Sequence, residues 1–249
     1  MNDFSRTHAG APSMDMSVDA GLRSYMLGIY NLMTIGLLVT AGAAILSAQL
    51  FFVGIGTESF GVTPLGATVF NTPLKWVVML APLGMVMLIS FRLNKLSSGM
   101  ARTLFYVFAG VMGISLSSII AVYTAGSIAN TFFVTAAAFG ALSLYGYTTK
   151  RNLTGMGSFL MMGLFGLILA SIVNIFLASS AMEFVISAVG VLIFAGLTAY
   201  DTQRLKISYY EYGGTPELAA KMKVHGALSL YLDFINMFLF LLRFMGNRN

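Results

Sequence analysis

Seven apolar runs, each near the length of a bilayer crossing, recur along the chain and leave little freedom in what it can fold into. They are Ser24–Phe51, Leu74–Phe91, Thr103–Tyr123, Thr131–Tyr147, Ser158–Leu177, Met182–Tyr200 and Val224–Phe244, separated by short polar or glycine-rich breaks. In lipid every backbone donor and acceptor must be satisfied internally, and an open strand edge cannot do that, so each run is expected to be a helix. The composition agrees: 57% of the 249 residues are hydrophobic and 9% are charged, where a soluble domain carries about 25% charged residues. The expected fold class is an all-α polytopic membrane protein in contact with the lipid bilayer.

Residues 1–23 are polar, rich in Gly, Pro, Ser and Asp, and read as a flexible tail ahead of one transmembrane domain, 24–249. The apolar run after Arg23 is too long for a signal-peptide core and reads as an uncleaved first span. The basic residues are unevenly placed. Arg6, Arg23, Arg92, Lys95, Arg102, Lys150, Arg151, Arg204, Lys206, Lys221 and Lys223 all fall in the tail or in alternate breaks, which makes eleven of fourteen on one face. The opposite breaks hold Lys75 with Glu58 and Glu183. This bias places the tail in the cytoplasm. It also accounts for the net charge of +5 without nucleic acid as a partner. The seventh run has a core of only about 16 residues, Ala227–Leu242, or about 24 Å of helix. If it spans, Arg243 and Arg248 lie opposite the basic face; if it re-enters, they lie on it. Spanning is the expectation, because a short helix buried among the others tolerates its length and its carboxylate.

That carboxylate is Asp233, in Leu-Tyr-Leu-Asp-Phe; a second, Asp201, closes the sixth run in Ala-Tyr-Asp-Thr-Gln. A carboxylate at membrane depth is costly and usually faces a cavity, a partner or an ion path. Two of them held close share protons, because both cannot ionise freely. For Asp201 the plainer alternative is a helix-end ion pair with Arg204 at i+3; for Asp233 it is a structural hydrogen bond. Arg92, at the end of the second run, is a candidate latch that could hold the pair ionised, or an ordinary positive-inside arginine. Tyr200 and Tyr231 are candidate hydrogen-bond donors to the pair, or interfacial aromatics. Asn236 shares a helix face with Asp233 at i+3. Trp76, Tyr209, Tyr210 and Tyr212 read as interfacial anchors.

Other chemistries find little footing. The chain has no cysteine, and its two histidines, His8 and His225, are far apart. The 17 methionines are scattered through the runs and read as packing rather than copper ligands. Gly110 with Gly113, and Gly163 with Gly166, read as small-residue helix contacts. No Walker A loop, HExxH or serine elbow is present. The triplet Asn152-Leu-Thr falls on the expected cytoplasmic face, where glycosylation does not occur.

Gly196-Leu-Thr-Ala-Tyr-Asp-Thr-Gln-Arg-Leu-Lys206, followed by Gly226-Ala-Leu-Ser-Leu-Tyr-Leu-Asp-Phe-Ile-Asn236, resembles the bacterial branch of the Bax inhibitor family. Gly113-Ile-Ser-Leu-Ser-Ser-Ile-Ile and Leu142-Ser-Leu-Tyr-Gly-Tyr-Thr-Thr-Lys-Arg151 support it, and the resemblance runs from about Tyr25 to Arg248. It implies seven transmembrane helices with the last surrounded by the other six, in a bacterial inner membrane. It implies a pH-sensitive calcium leak with Asp201 and Asp233 as a proton-sharing sensor, and no enzyme activity or required cofactor. The family's arginine latch lies inside its second helix, where this chain has only Arg92 at the end. Some relatives associate with an ATP-dependent membrane protease.

Calcium suits the reading, since it takes oxygen ligands and Asp201 and Asp233 supply carboxylates. Three alternatives stand beside it. A regulator could act by binding other membrane proteins through the tail or a 202–223 loop. A proton-coupled transporter would move ions uphill. An intramembrane aspartyl protease would share Tyr200-Asp201, but Asp233 lacks a preceding Gly-x-Gly and no Pro-Ala-Leu follows, the last proline being Pro216.

Overall fold

The computed structural model describes residues 20–92, 95–212 and 215–249. The expected tail lies outside them except for residues 20–23, which open the first helix. The elements in order are α1 (Ala20–Phe51), β1 (Phe52–Val53), β2 (Gly61–Val62), α2 (Pro64–Phe70), α3 (Leu74–Arg92), α4 (Ser98–Val122), α5 (Ala125–Thr148), α6 (Thr154–Leu177), α7 (Ser180–Tyr212) and α8 (Pro216–Met245). Seven of these helices are long and apolar enough to cross a membrane: α1 and α3 through α8.

The helices outrun their apolar runs because polar caps start them early. Ser97 and Thr124 accept hydrogen bonds from the Met100 and Ser127 amides and so begin α4 and α5 ahead of the hydrophobic stretches. Pro216 opens α8 in its first turn, eight residues before the apolar run at Val224. α7 runs past Asp201 to Tyr212. The expected 202–223 loop is therefore mostly helix, since Arg204 and Lys206 lower hydropathy without breaking a helical backbone. Between α1 and α3, β1 pairs antiparallel with β2, and Gly54 and Gly56 take left-handed φ values of 64° and 77° in the turn.

The last helix occupies the middle. α8 packs against α1, α4, α5 and α7, while α3 leans on α4 and α6 leans on α7. Half of the most apolar window of α8 is buried within the protein, against 11% in α3 and in α6. α8 starts at the end that carries the α5–α6 connection and finishes at the end that carries the α4–α5 turn, so it runs the length of the bundle rather than turning back. There Thr124 N donates to Asn247 O, Asn249 N donates to Val122 O, and Arg248 pairs with Glu183 at 3.2 Å. Arg248 thus lies opposite the basic face, and its charge is matched locally. At the basic end, Gln203 accepts from Leu153 N and donates to Arg151 O. Lys206 donates to Tyr147 O, and Glu217 accepts from the amide and hydroxyl of Ser98.

Close packing relies on some of the expected glycines. A Cβ on Gly113 would lie 2.7 Å from the Ala43 Cβ and press on the Thr40 carbonyl, so α1 and α4 meet backbone to backbone there. Gly163 faces Ile193, while Gly110 and Gly166 face open space, with nothing within 4 Å of an added Cβ. Trp76 is exposed, whereas Tyr209 packs on Tyr25 with ring centroids 5.3 Å apart, so it is a helix contact as well as an interfacial residue. The side chain of Tyr212, and all of His8, lie outside the described residues. Gly113→Leu is expected to destabilise the protein by about 1–3 kcal/mol through overpacking, and Gly110→Leu to be tolerated. Thermal unfolding of both variants in detergent, followed by size-exclusion chromatography, checks this.

Candidate functional site

α7 and α8 form an antiparallel helical hairpin, and its register brings Asp201 against the stretch Ser229–Asp233. Ser229 precedes Asp233 by one helical turn, so both face α7. The Ser229 hydroxyl donates to Asp201 Oδ2 at 2.5 Å. Arg204 Nη2 lies 3.5 Å from Asp201 Oδ1 and donates to Ser229 Oγ at 3.4 Å. The guanidinium also sits over the Tyr200 ring, 5.7 Å from its centroid, a cation–π placement that holds a half-exposed arginine against the helix. Asp201 is 8% exposed and Asp233 is 5% exposed. One Asp233 carboxyl oxygen, Oδ2, is buried with no hydrogen-bond partner among the described residues.

Both carboxylates line one cleft of about 620 Å³ between α6, α7 and α8. Tyr200, Arg204, Ser229 and Asn236 line it with them, and α6 contributes an apolar wall. Asn236 donates to the Leu232 carbonyl at 2.8 Å, which leaves its side-chain oxygen for the cleft. Asp201, Asp233, Tyr200 and Asn236 thus line one cleft, with Tyr200 presenting its ring to Arg204. Asp201 lies well inside α7 rather than at a helix end, and its i+3 pairing with Arg204 is real.

Two candidates go elsewhere. Tyr231 is fully buried on the opposite face of α8, where its hydroxyl meets Thr40 Oγ1 at 2.6 Å and its ring packs edge-on to Phe105 and Phe108. It is two residues from Asp233, and in a helix that spacing turns a side chain away rather than alongside. Arg92 is exposed at the end of α3 and is not among the described residues lining the cleft. The cation at Asp201 is Arg204. Elsewhere on α7, the Tyr30 hydroxyl bonds Ser143 at 2.5 Å, Ser143 bonds Thr202 at 2.9 Å, and Thr202 donates to the Thr198 carbonyl, a chain of hydroxyls that joins α1, α5 and α7. Ser229 and this chain escape a search for charged residues. The i−4 spacing of Ser229 from Asp233 was the available signal.

With this geometry in view, comparison with known proteins is decisive. The family described as inhibitor of apoptosis-promoting Bax1 matches residues 22–249. The chain belongs to the Bax inhibitor family. Its relatives in that family include a protein of Caulobacter vibrioides, 50% identical over 99% of this chain and 98% of the relative. The inner membrane protein YbhL of Escherichia coli K12 is 47% identical over 92% of this chain and 94% of its own. A protein of Borreliella burgdorferi is 43% identical over 90% and 92%. This Bax inhibitor family member is therefore a multi-pass membrane protein whose polar cleft belongs to its last two helices.

Tyr231 and Ser229, both close to Asp233 in sequence, are separable by experiment. Tyr231→Phe is expected to cost about 1 kcal/mol or less of stability and to leave the pH titration of the carboxyl infrared bands unchanged. Ser229→Ala, which removes a direct hydrogen bond to Asp201, is expected to shift that titration.

Proposed function

We propose that this protein is a passive, pH-gated cation leak, with calcium the foremost ion. It would sit in a bacterial inner membrane with its N-terminus in the cytoplasm. The observation that carries the reading is the placement of Asp201 and Asp233 in a single cleft with Arg204 as the resident cation. A carboxylate pair of this kind responds to protons as a unit. Near neutral pH it carries negative charge and attracts either Arg204 or a passing cation. In acid both members are protonated and the attraction is lost. Arg204 takes the latch role that the family resemblance assigns to a second-helix arginine.

The donor set fits transient rather than permanent binding of calcium. The ion takes 6–8 oxygen ligands; the cleft offers two carboxylates, the Ser229 hydroxyl and the Asn236 amide oxygen, and no third acidic or histidine side chain joins them among the described residues. Water would complete the shell, which suits an ion in transit. The reading needs no catalytic residue and no cofactor. Proteolysis draws no support from the site, since α8 is helical through Leu230–Asp233 and presents no backbone edge to a substrate chain.

Calcium flux against pH in proteoliposomes tests the proposal. Asp201→Asn and Asp233→Asn are each expected to change the pH dependence, and unchanged curves for both would sink the sensor role. Arg204→Gln is expected to raise flux at neutral pH roughly two- to fivefold, the weight of a half-exposed ion pair worth ~0.4–1 kcal/mol. Flux that tracks a pH gradient uphill would instead indicate a coupled transporter.

A further inference from the structure

α1 and α5 both pack on α8, yet they leave a seam between them on the lipid side of the bundle. The seam has a volume of about 720 Å³ and its floor is the core itself, where Phe139 and Phe234 meet with ring centroids 5.5 Å apart. Its walls are mostly apolar, from Met26 to Leu37 on α1 and from Phe132 to Leu144 on α5, with Tyr30, Thr34 and Ser143 as polar members. Arg23 and Tyr147 close it at the basic end. From Arg23 to Leu37 is about 21 Å of helix, at 1.5 Å per residue. That exceeds the ~15 Å depth of hydrocarbon in one leaflet, so a single acyl chain could follow the seam over its whole depth. Arg23 is exposed, and no carboxylate pairs with it among the described residues. A basic group at the headgroup level, with no acidic partner among the described residues, over a groove of leaflet length, is complementary to an anionic lipid.

We propose that the α1–α5 seam binds an anionic phospholipid, its acyl chain along Phe139 and Phe234 and its phosphate at Arg23. The site is independent of the leak reading. Tyr30, which lines the seam, also joins α1 to α5 and α7 through Ser143 and Thr202.

Gly140 gives a clean test. It lines the seam, and a Cβ there meets nothing within 4 Å, so Gly140→Phe fills the groove without disturbing the core. Full-length protein in nanodiscs would be photolabelled with phosphatidylglycerol or phosphatidylethanolamine bearing a diazirine on the acyl chain, and labelled peptides mapped by mass spectrometry. Label is expected on α1 and α5 peptides, about fivefold stronger from phosphatidylglycerol. Arg23→Gln should abolish that preference, and Gly140→Phe should reduce labelling to the level of α3 peptides with unfolding temperature unchanged. Equal labelling from both lipids, insensitive to Arg23→Gln, would mean ordinary lipid contact and overturn the proposal. Seam labelling that emerges only after deletion of residues 1–19 would assign the groove to the tail and also overturn it.

Discussion

α8 meets protein on the sides turned to α1, α4, α5 and α7, and the demand that each of those surfaces be matched organises the rest of the molecule. Its neighbours each meet a different surface: α4 and α1 receive Tyr231 between Phe105, Phe108 and Thr40, α5 receives Phe234 on Phe139, and α7 receives Ser229 and Asp233. The face of α8 that carries Asp233 is turned to α7, which supplies Asp201 and Arg204, where a lipid-facing aspartate would have no polar partner. The outer helices follow from the same demand. α6 supplies the apolar wall over the aspartate cleft, and α3 supplies one over the α4–α8 groove that contains Asn236.

The two ends of the bundle are fastened by different means. At the basic end, side chains tie loops to helices: Gln203 and Lys206 hold the α5–α6 connection, and Glu217 holds the start of α4. At the other end the backbone does the work, with residues 247–249 laid against the α4–α5 turn and Arg248 fixed by Glu183 and the Tyr123 ring. Between them the interior hydroxyls of Thr135, Thr198 and Thr202 donate to carbonyls one turn back on their own helices. These three donors satisfy themselves without committing their helices to one another, whereas Tyr30–Ser143–Thr202, Thr40–Tyr231 and Ser229–Asp201 cross between helices.

The spans and the aspartates were legible in the sequence because both are signals of composition: long apolar runs, and charges where charges are rare. Helix ends were less so. Lys206 and the tyrosines after it look like a loop to a hydropathy scale, yet nothing in Ile207–Tyr212 breaks a helix, and α7 continues. The partner of Asp201 was visible as an i+3 arginine, but choosing Arg204 over Arg92 requires knowing where α3 stands. Tyr231 misled through proximity in sequence, since two residues along a helix is nearly half a turn around it. The short α2 and the Phe52–Val62 hairpin carry too few residues for any periodicity to register.

The central helix also comes after the other described spans in the sequence. Phe105 and Phe108 find a ring partner in its Tyr231, and Phe139 finds one in its Phe234. The bond from Thr40 to Tyr231 joins positions 191 apart. The inward faces of α1, α4 and α5 are therefore completed by a segment remote in sequence, so the contacts that close the bundle form only after a large loop-closure cost has been met.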